Sequence, residues 1–441
     1  MDEPIYKSDA LVTVAGMLKR ILTITTGMMI GSLIAMGVLH VVGMLGFSGH
    51  AEVDDAADYY REVLALVENS YVDGAQTDPA EMTRTALEGL LGALDPHSEF
   101  MRARDYSSMQ EDLDSTFGGI GVQIERRDGD VVVIAPISGT PGERAGIRRG
   151  DRVLKVDGEN MRGRSIDDVV GVMRGKPGTE VRIAFGREGR ETPFEVTIVR
   201  EIIKVESVSD VTLLPGGIGY LRLVQFSEPT AAEFHAGIAR LQSEGMQALI
   251  IDVRNNPGGL LTSAADVLEP FFAEGELMVY TQGRRKNDRE EFRSTNADAP
   301  FDLPLAVLIN AGSASASEIV AGALKDSGRA VIVGERSFGK GSVQSLYRLR
   351  NGEGLRLTTA KYYTPSGVVI HERGVEPQVD VIMTPEDDAN VAVQRARSDL
   401  TDPVEFEQRF GFAPVPDRQL DAAVAILKAA LLVDQRKGSE E

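Results

Sequence analysis

The sequence predicts a multidomain chain of α/β and β class: a membrane anchor, a helical N-terminal region, a strand-rich module, an α/β core and C-terminal helices. Three observations predict it. Residues 21 to 47 carry no formal charge, short alternating strands fill about 114 to 203, and strands alternate with helices after residue 204. The last pattern implies βαβ crossovers and a largely parallel sheet.

The run ILTITTGMMIGSLIAMGVLHVVGMLGF would reach roughly 40 Å as a helix, more than a bilayer core of roughly 30 Å requires. Lys19 and Arg20 precede it, while Glu52, Asp54 and Asp55 follow. This asymmetry orients residues 1–20 as a cytoplasmic tail and 21–47 as a single-pass anchor in an inner membrane of bacterial type, with everything after residue 50 exported to a periplasmic or extracytoplasmic space. A cleaved secretory signal is the other reading, since Gly49-His50-Ala51 resembles a small-x-small cleavage site, but the apolar run is about twice the usual h-region. The net charge of −20, without a long Lys/Arg tract, argues against a nucleic-acid partner. The absence of cysteine removes disulfides, thiolate catalysis and Cys-ligated zinc together.

Residues 52–113 read as helical. Tyr59, Tyr60, Val63, Leu64 and Val67 share one face, Asp78-Pro79 starts a second helix, and LDPHS at 94–98 ends it. The text then changes to strands, with GVQIERRDGDVVVIAPI forming a hairpin about Asp128-Gly129. Core strands follow at GIGYLRL (217–223), ALIIDVR (248–254), LAVLIN (305–310), AVIVGE and LRLTTAKYYT. Helices lie at PTAAEFHAGIARLQSEG, LLTSAADVLEPFF and ASEIVAGALKD, and the helical residues 382–441 are expected to pack on the core.

Two core strands run into NNPGG and AGSAS, each followed directly by a helix. Helix starts present unpaired N–H groups and a positive dipole end, so two of them side by side can form an oxyanion hole. Ser313, Ser315 and Ser317 stand at that point, and helix capping alone would account for one. The histidines of the exported part, His50, His97, His235 and His371, lack the companion pattern of a base. Lys340 in SFGKGSVQ is the better candidate, since flanking glycines permit close backbone approach and Phe338 offers apolar surface. To act near neutrality it must lose about three pKa units from about 10.4.

The segment FGGIG (117–121), AGIRRGDRVLKVDG, SIDDVVGVMRG and VRIAFGREG resembles a PDZ domain, implying a PDZ-like β-barrel at 114–203. Phe117, Gly118, Gly119, Ile120 and Gly121 would form its loop for a peptide C-terminus, because successive N–H groups of such a turn make an anion site beside a strand edge. Along nearly all of its exported length the sequence resembles the C-terminal processing peptidases, or tail-specific proteases. That resemblance implies a serine protease core at 204–381 and serine endopeptidase activity on protein substrates recognised through their C-terminal tails. It implies Ser315 as nucleophile, Lys340 as base and Gln344 as the glutamine that orients the lysine. Gly258 or Gly259, with Ala316, would supply the oxyanion N–H groups. Asp326 matches an aspartate sometimes counted in the relay, and reads as easily as a surface residue at a helix C-terminus. LDPHS, YYTPSG (362–367) and GVEP (374–377) fit family positions, while HERG (371–374) is more charged than usual. Arg174, after the groove-closing helix, is a candidate for coupling the module to the core. No metal or organic cofactor is implied. The alternatives are a PDZ scaffold with an inactive core, or an acyl-CoA enzyme, for which the PDZ segment and export signal have no use. The flanking helices are places for contact with a second copy or a regulatory partner.

Overall fold

The computed structural model describes residues 51–127, 129–137, 139–396 and 402–437. The expected anchor at 21–47 lies outside them; among the described residues no helix is long and apolar enough to cross a membrane. The chain divides into a unit ending at Leu90 and one beginning at Leu91.

In the first unit, helix Ala51–Ser70 has no buried residue. The next helix, Pro79–Gly92, starts as the sequence implies: the Asp78 carboxylate accepts the Ala80 N–H at 3.1 Å and proline takes the first helical position. Tyr60 donates to Thr83 at 3.0 Å, joining the two helices.

The expected helical stretch does not continue unbroken to residue 113. After LDPHS the chain forms strand Glu99–Met101 and then helix Ala103–Leu113. The strand pairs antiparallel with Gly354–Arg356, so residues preceding the PDZ-like module complete a sheet of the core. The module itself is a six-stranded antiparallel sheet spanning 122–199, closed by helix Ile166–Met173. Strand Thr116–Gly119 pairs with Glu201–Lys204 at its base, so the module enters and leaves the core side by side.

The core contains the expected parallel arrangement. Strands Ile218–Leu223, Ala248–Asp252, Leu305–Ile309, Val331–Gly334 and Val379–Asp380 lie parallel, with Val208–Leu214 added antiparallel at one edge. These strands are largely apolar because both sheet faces are covered. Leu249, Ile251, Val307 and Ile309 face the helices on one side, including Phe234 and Ile319. The alternating Ala248, Ile250, Ala306 and Leu308 face the other side, where Ala423 and Leu427 of helix Arg418–Lys437 pack as anticipated.

LRLTTAKYYT does not extend this alternation. As strand Gly354–Tyr363 it is the centre of a separate antiparallel sheet, flanked by Ser342–Arg348, Leu277–Gly283 and Glu99–Met101. This second sheet carries the lysine segment up to the ends of the parallel strands.

Candidate functional site

The site is built where strands 248–252 and 305–309 end, at the carboxyl edge of the parallel sheet. The three candidate serines separate by what their hydroxyls do. Ser313 Oγ donates to Val253 O at 2.8 Å, and Ser317 Oγ to Asn256 O at 2.9 Å. Both tie the serine loop to the NNPGG turn and are fully buried. Ser315 is at the N-cap of helix Ala316–Asp326, yet its hydroxyl makes no cap bond. Its backbone is held at φ 55°, ψ −114°, a region that costs of order 1–3 kcal/mol for a residue with a Cβ. The surroundings hold it there: the Ser315 N–H donates to Glu318 Oε2 at 2.9 Å, and the hydroxyl lies 3.4 Å from the Tyr362 hydroxyl.

Glu318 is the organising group. Its fully buried carboxylate accepts four donors: Ser315 N–H, Lys340 N–H at 2.8 Å, Gly339 N–H at 2.7 Å and Ser337 Oγ at 2.5 Å. One side chain thereby fixes the backbone of both the serine and the lysine loops. Burial pushes its pKa up, with the four donors opposing.

Lys340 is half-buried, and burial pushes its pKa down, Arg356 adding to the effect while Glu318 and Glu99 oppose it. Phe338, expected from the sequence to offer apolar surface here, is 64% exposed. Lys340 Nζ does not hydrogen-bond Ser315 Oγ in this arrangement, whose side-chain partner is Tyr362. The Gln344 amide is also turned elsewhere: Nε2 donates to Thr358 Oγ1 at 2.9 Å and Ser342 Oγ at 3.1 Å. A register shift between Val343 and Gln344 marks the strand at this point, and the amide does not make the contact with the lysine that the resemblance implies.

Gly258 packs its backbone against the serine, since a Cβ there would lie 2.7 Å from Ser315 Cβ. Its N–H, however, donates to Asn256 Oδ1 at 2.9 Å and is already spent. Among the described residues no acceptor takes the N–H of Gly259 or Ala316. Asp326 lies at the far end of the serine helix, about 16 Å along its axis from Ser315. It accepts from Ser366 N–H and Oγ, each at 2.7 Å, donors that outweigh burial and hold its pKa low. A relay through Asp326 is therefore inconsistent with this geometry.

The LDPHS turn is stapled to the second sheet. Ser98 Oγ donates to Asp95 Oδ2 at 2.8 Å and accepts the Thr358 N–H at 3.1 Å, while His97 O accepts Arg356 Nε at 3.0 Å. Burial first, then Lys340, pushes the His97 pKa down.

Comparison with known proteins places this geometry. Residues 217–381 match the model of peptidase family S41, and 132–187 a PDZ domain. The carboxy-terminal-processing protease of Bartonella bacilliformis is 41% identical over 326 residues, covering 73% of this chain and 74% of the relative. Carboxy-terminal processing protease CtpB of Bacillus subtilis is 34% identical, covering 75% of this chain and 69% of the relative. The carboxyl-terminal-processing protease of Synechocystis is 38% identical, covering 67% and 70%. The chain belongs to the S41 C-terminal processing peptidases. It is a serine-type peptidase with a PDZ domain, and proteins are its substrates.

In this S41 peptidase the PDZ groove opens between strand Val122–Arg127 and helix Ile166–Met173, lined by Phe117, Gly119, Ile120, Gly121, Val122, Ile124, Val170, Met173 and Arg174. The carbonyls of Ile120 and Gly121 turn away, accepting Gly142 N–H and Ile137 N–H at 2.7 and 2.9 Å. Their own N–H groups have no acceptor among the described residues, which suits an anion. Gly118 does not line the groove; its Cβ position faces Gly175 O at 2.1 Å. Arg174 stands at the groove mouth, its guanidinium 4.3 Å from the Phe117 ring centroid and 3.7 Å from Asp112.

Glu318 and Tyr362 are the site residues that sequence reasoning missed. Ser315-x-x-Glu318 has capping-box spacing, which would have identified Glu318 as a local cap. Nothing local announces its bonds to residues 337 to 340.

Proposed function

We propose that this peptidase is an exported serine endopeptidase that captures the C-terminal tails of proteins in its PDZ groove and cleaves them with a Ser315/Lys340 dyad. The observation that carries the reading is the Glu318 carboxylate, which binds the backbone of both residues at once. Ser315 is also the one serine of the three whose hydroxyl is not spent on a backbone carbonyl.

In the reaction, Ser315 Oγ bonds to the scissile carbonyl carbon as its proton passes to Lys340 Nζ. The Gly259 and Ala316 N–H groups receive the oxyanion, with Gly258 keeping the turn close to the serine. Collapse expels the amine, which takes the proton from Lys340; water then attacks the acyl carbon as Lys340 accepts its proton, and Lys340 returns that proton to Ser315 Oγ as the acid product leaves. With the backbone of both loops held by Glu318, the proton transfer requires Lys340 Nζ to reach Ser315 Oγ by turning its side chain, and Gln344 would hold the lysine once its amide leaves Thr358.

The proposed division is a tail at 1–20, an anchor at 21–47, an N-terminal helical region at 52–113, a PDZ domain at 114–203, a protease core at 204–381 and a C-terminal helical region at 382–441. The uncharged run after Lys19 and Arg20 supports attachment to the inner membrane with the catalytic region outside.

The dyad is tested with Ser315→Ala and Lys340→Ala on a tailed unfolded protein. Each should lower turnover by at least about 100-fold with thermal unfolding nearly unchanged. Lys340→Arg should not restore it, because guanidinium stays protonated. Wild-type turnover in Lys340→Ala would overturn the assignment.

A further inference from the structure

A polypeptide held in the PDZ groove by its tail still has to present one peptide bond among many to Ser315, and the tail site is not the place where that bond is chosen. Phe338 lies in the lysine loop, two residues before Lys340, with its backbone bonded to the serine loop. It is the only exposed phenylalanine among the described residues, at 64%. Its exposure is not the result of a loose loop. The Phe338 N–H donates to Ser313 O at 3.0 Å, and its neighbours Ser337 and Gly339 both donate to Glu318 Oε1. The ring is thus presented to solvent from a backbone fixed on both sides, two residues from Lys340 and one hydrogen bond from the serine loop.

Most of the residue faces solvent, and no aromatic or cation–π partner holds the ring among the described residues. A rigidly mounted apolar ring at the rim of a peptidase site gains a partner when an apolar side chain of the extended substrate is laid on it.

Resting on the Ser315/Lys340 reading, we propose that Phe338 is a specificity-determining residue, covering an apolar side chain of the substrate immediately beside the scissile bond. It contributes to choosing where the chain is cut, whereas the PDZ groove contributes to choosing which chain is held.

The test uses the full-length protein, wild type against Phe338→Ser and Phe338→Leu. The substrates share one apolar C-terminal tail and one cleavable segment, in which the residues on either side of the cut are Leu or Ser. Phe338→Ser should lower kcat/KM on the Leu-flanked segment by about 10-fold or more and change the Ser-flanked segment by much less, with Phe338→Leu between. Mapped cut sites in an unfolded protein should shift away from apolar residues, while tail affinity and thermal unfolding stay at wild-type values. An equal loss on both segments would overturn the proposal, showing that the ring acts by holding the Lys340 loop, and unchanged kinetics would overturn it too. Ser315→Ala is run in parallel: retained cleavage there refutes the dyad instead, whatever Phe338 does.

Discussion

At the scale of single residues, the site depends on a charge balance around Lys340. Burial and Arg356 favour the neutral amine, so the acidic limb of the pH–rate profile should lie below the ordinary lysine value, with kcat/KM rising as pH rises through it. Removing a neighbouring cation makes protonation easier and raises the lysine pKa. Arg356→Gln should therefore move the limb to higher pH, measured as kcat/KM from pH 5 to 10; a shift to lower pH would contradict the assigned balance. Glu318→Gln is a second case. An amide keeps one acceptor and turns a donor toward two of the N–H and O–H groups now bound, each unsatisfied group costing about 1–3 kcal/mol. Turnover should fall by at least about 10-fold even where the protein remains folded, because both reacting residues lose their common anchor. Wild-type kcat with lowered thermal stability alone would reduce Glu318 to a helix cap.

Among the elements, the NNPGG turn is held from behind by a buried ionic network. Arg254, fully buried, pairs with Asp252 and Asp417, while Arg395 and Tyr220 also bind Asp252. The two arginines outweigh the effect of burial and hold the Asp252 pKa well below the carboxylate range. Asp417 precedes helix Arg418–Lys437, so this network joins the C-terminal helix to the strand end that runs into the NNPGG turn. Asp417→Ala should cost about 3–5 kcal/mol by leaving Arg254 short of a partner, read as a lowered denaturation midpoint. A midpoint within about 0.5 kcal/mol of wild type would show the contact to be dispensable. These relations mark the limit of what was legible in the chain. The parallel strands, the three serines and the lysine between glycines could be read because each is a local pattern. The second sheet could not, since Gly354–Tyr363 finds Glu99–Met101 and Leu277–Gly283 far away in sequence, and nothing in LRLTTAKYYT distinguishes that pairing from one more parallel strand. Likewise the candidate status of Gly258 and Asp326 followed from resemblance, while the bonds that occupy them, to Asn256 and Ser366, are set by turn geometry.

On the scale of the whole molecule, the PDZ groove and the proposed Ser315/Lys340 site occupy different places in the second unit, and Arg174 stands at the groove. Its guanidinium faces Phe117 and Asp112, the latter on the helix that leads from the core into the PDZ domain. A tail that competed for this arginine would give occupied and empty states different contacts. Arg174→Ala should reduce turnover of tailed substrates more than it weakens tail affinity, whereas a bulky residue at Gly119, whose Cβ would meet the Phe117 ring at 2.9 Å, should weaken affinity first. Equal losses in both quantities for Arg174→Ala would leave the PDZ domain a tether. The pairing of Glu99–Met101 with Gly354–Arg356 has a different consequence, in the order of synthesis. The strand leaves the ribosome before the PDZ domain, and its partner only after the serine and lysine loops. Long-range pairing of this kind forms late, when both ends exist. The LDPHS turn therefore cannot be stapled beside Lys340 until the chain has grown past Thr358, so a nascent chain, or one truncated before that point, lacks a completed lysine environment.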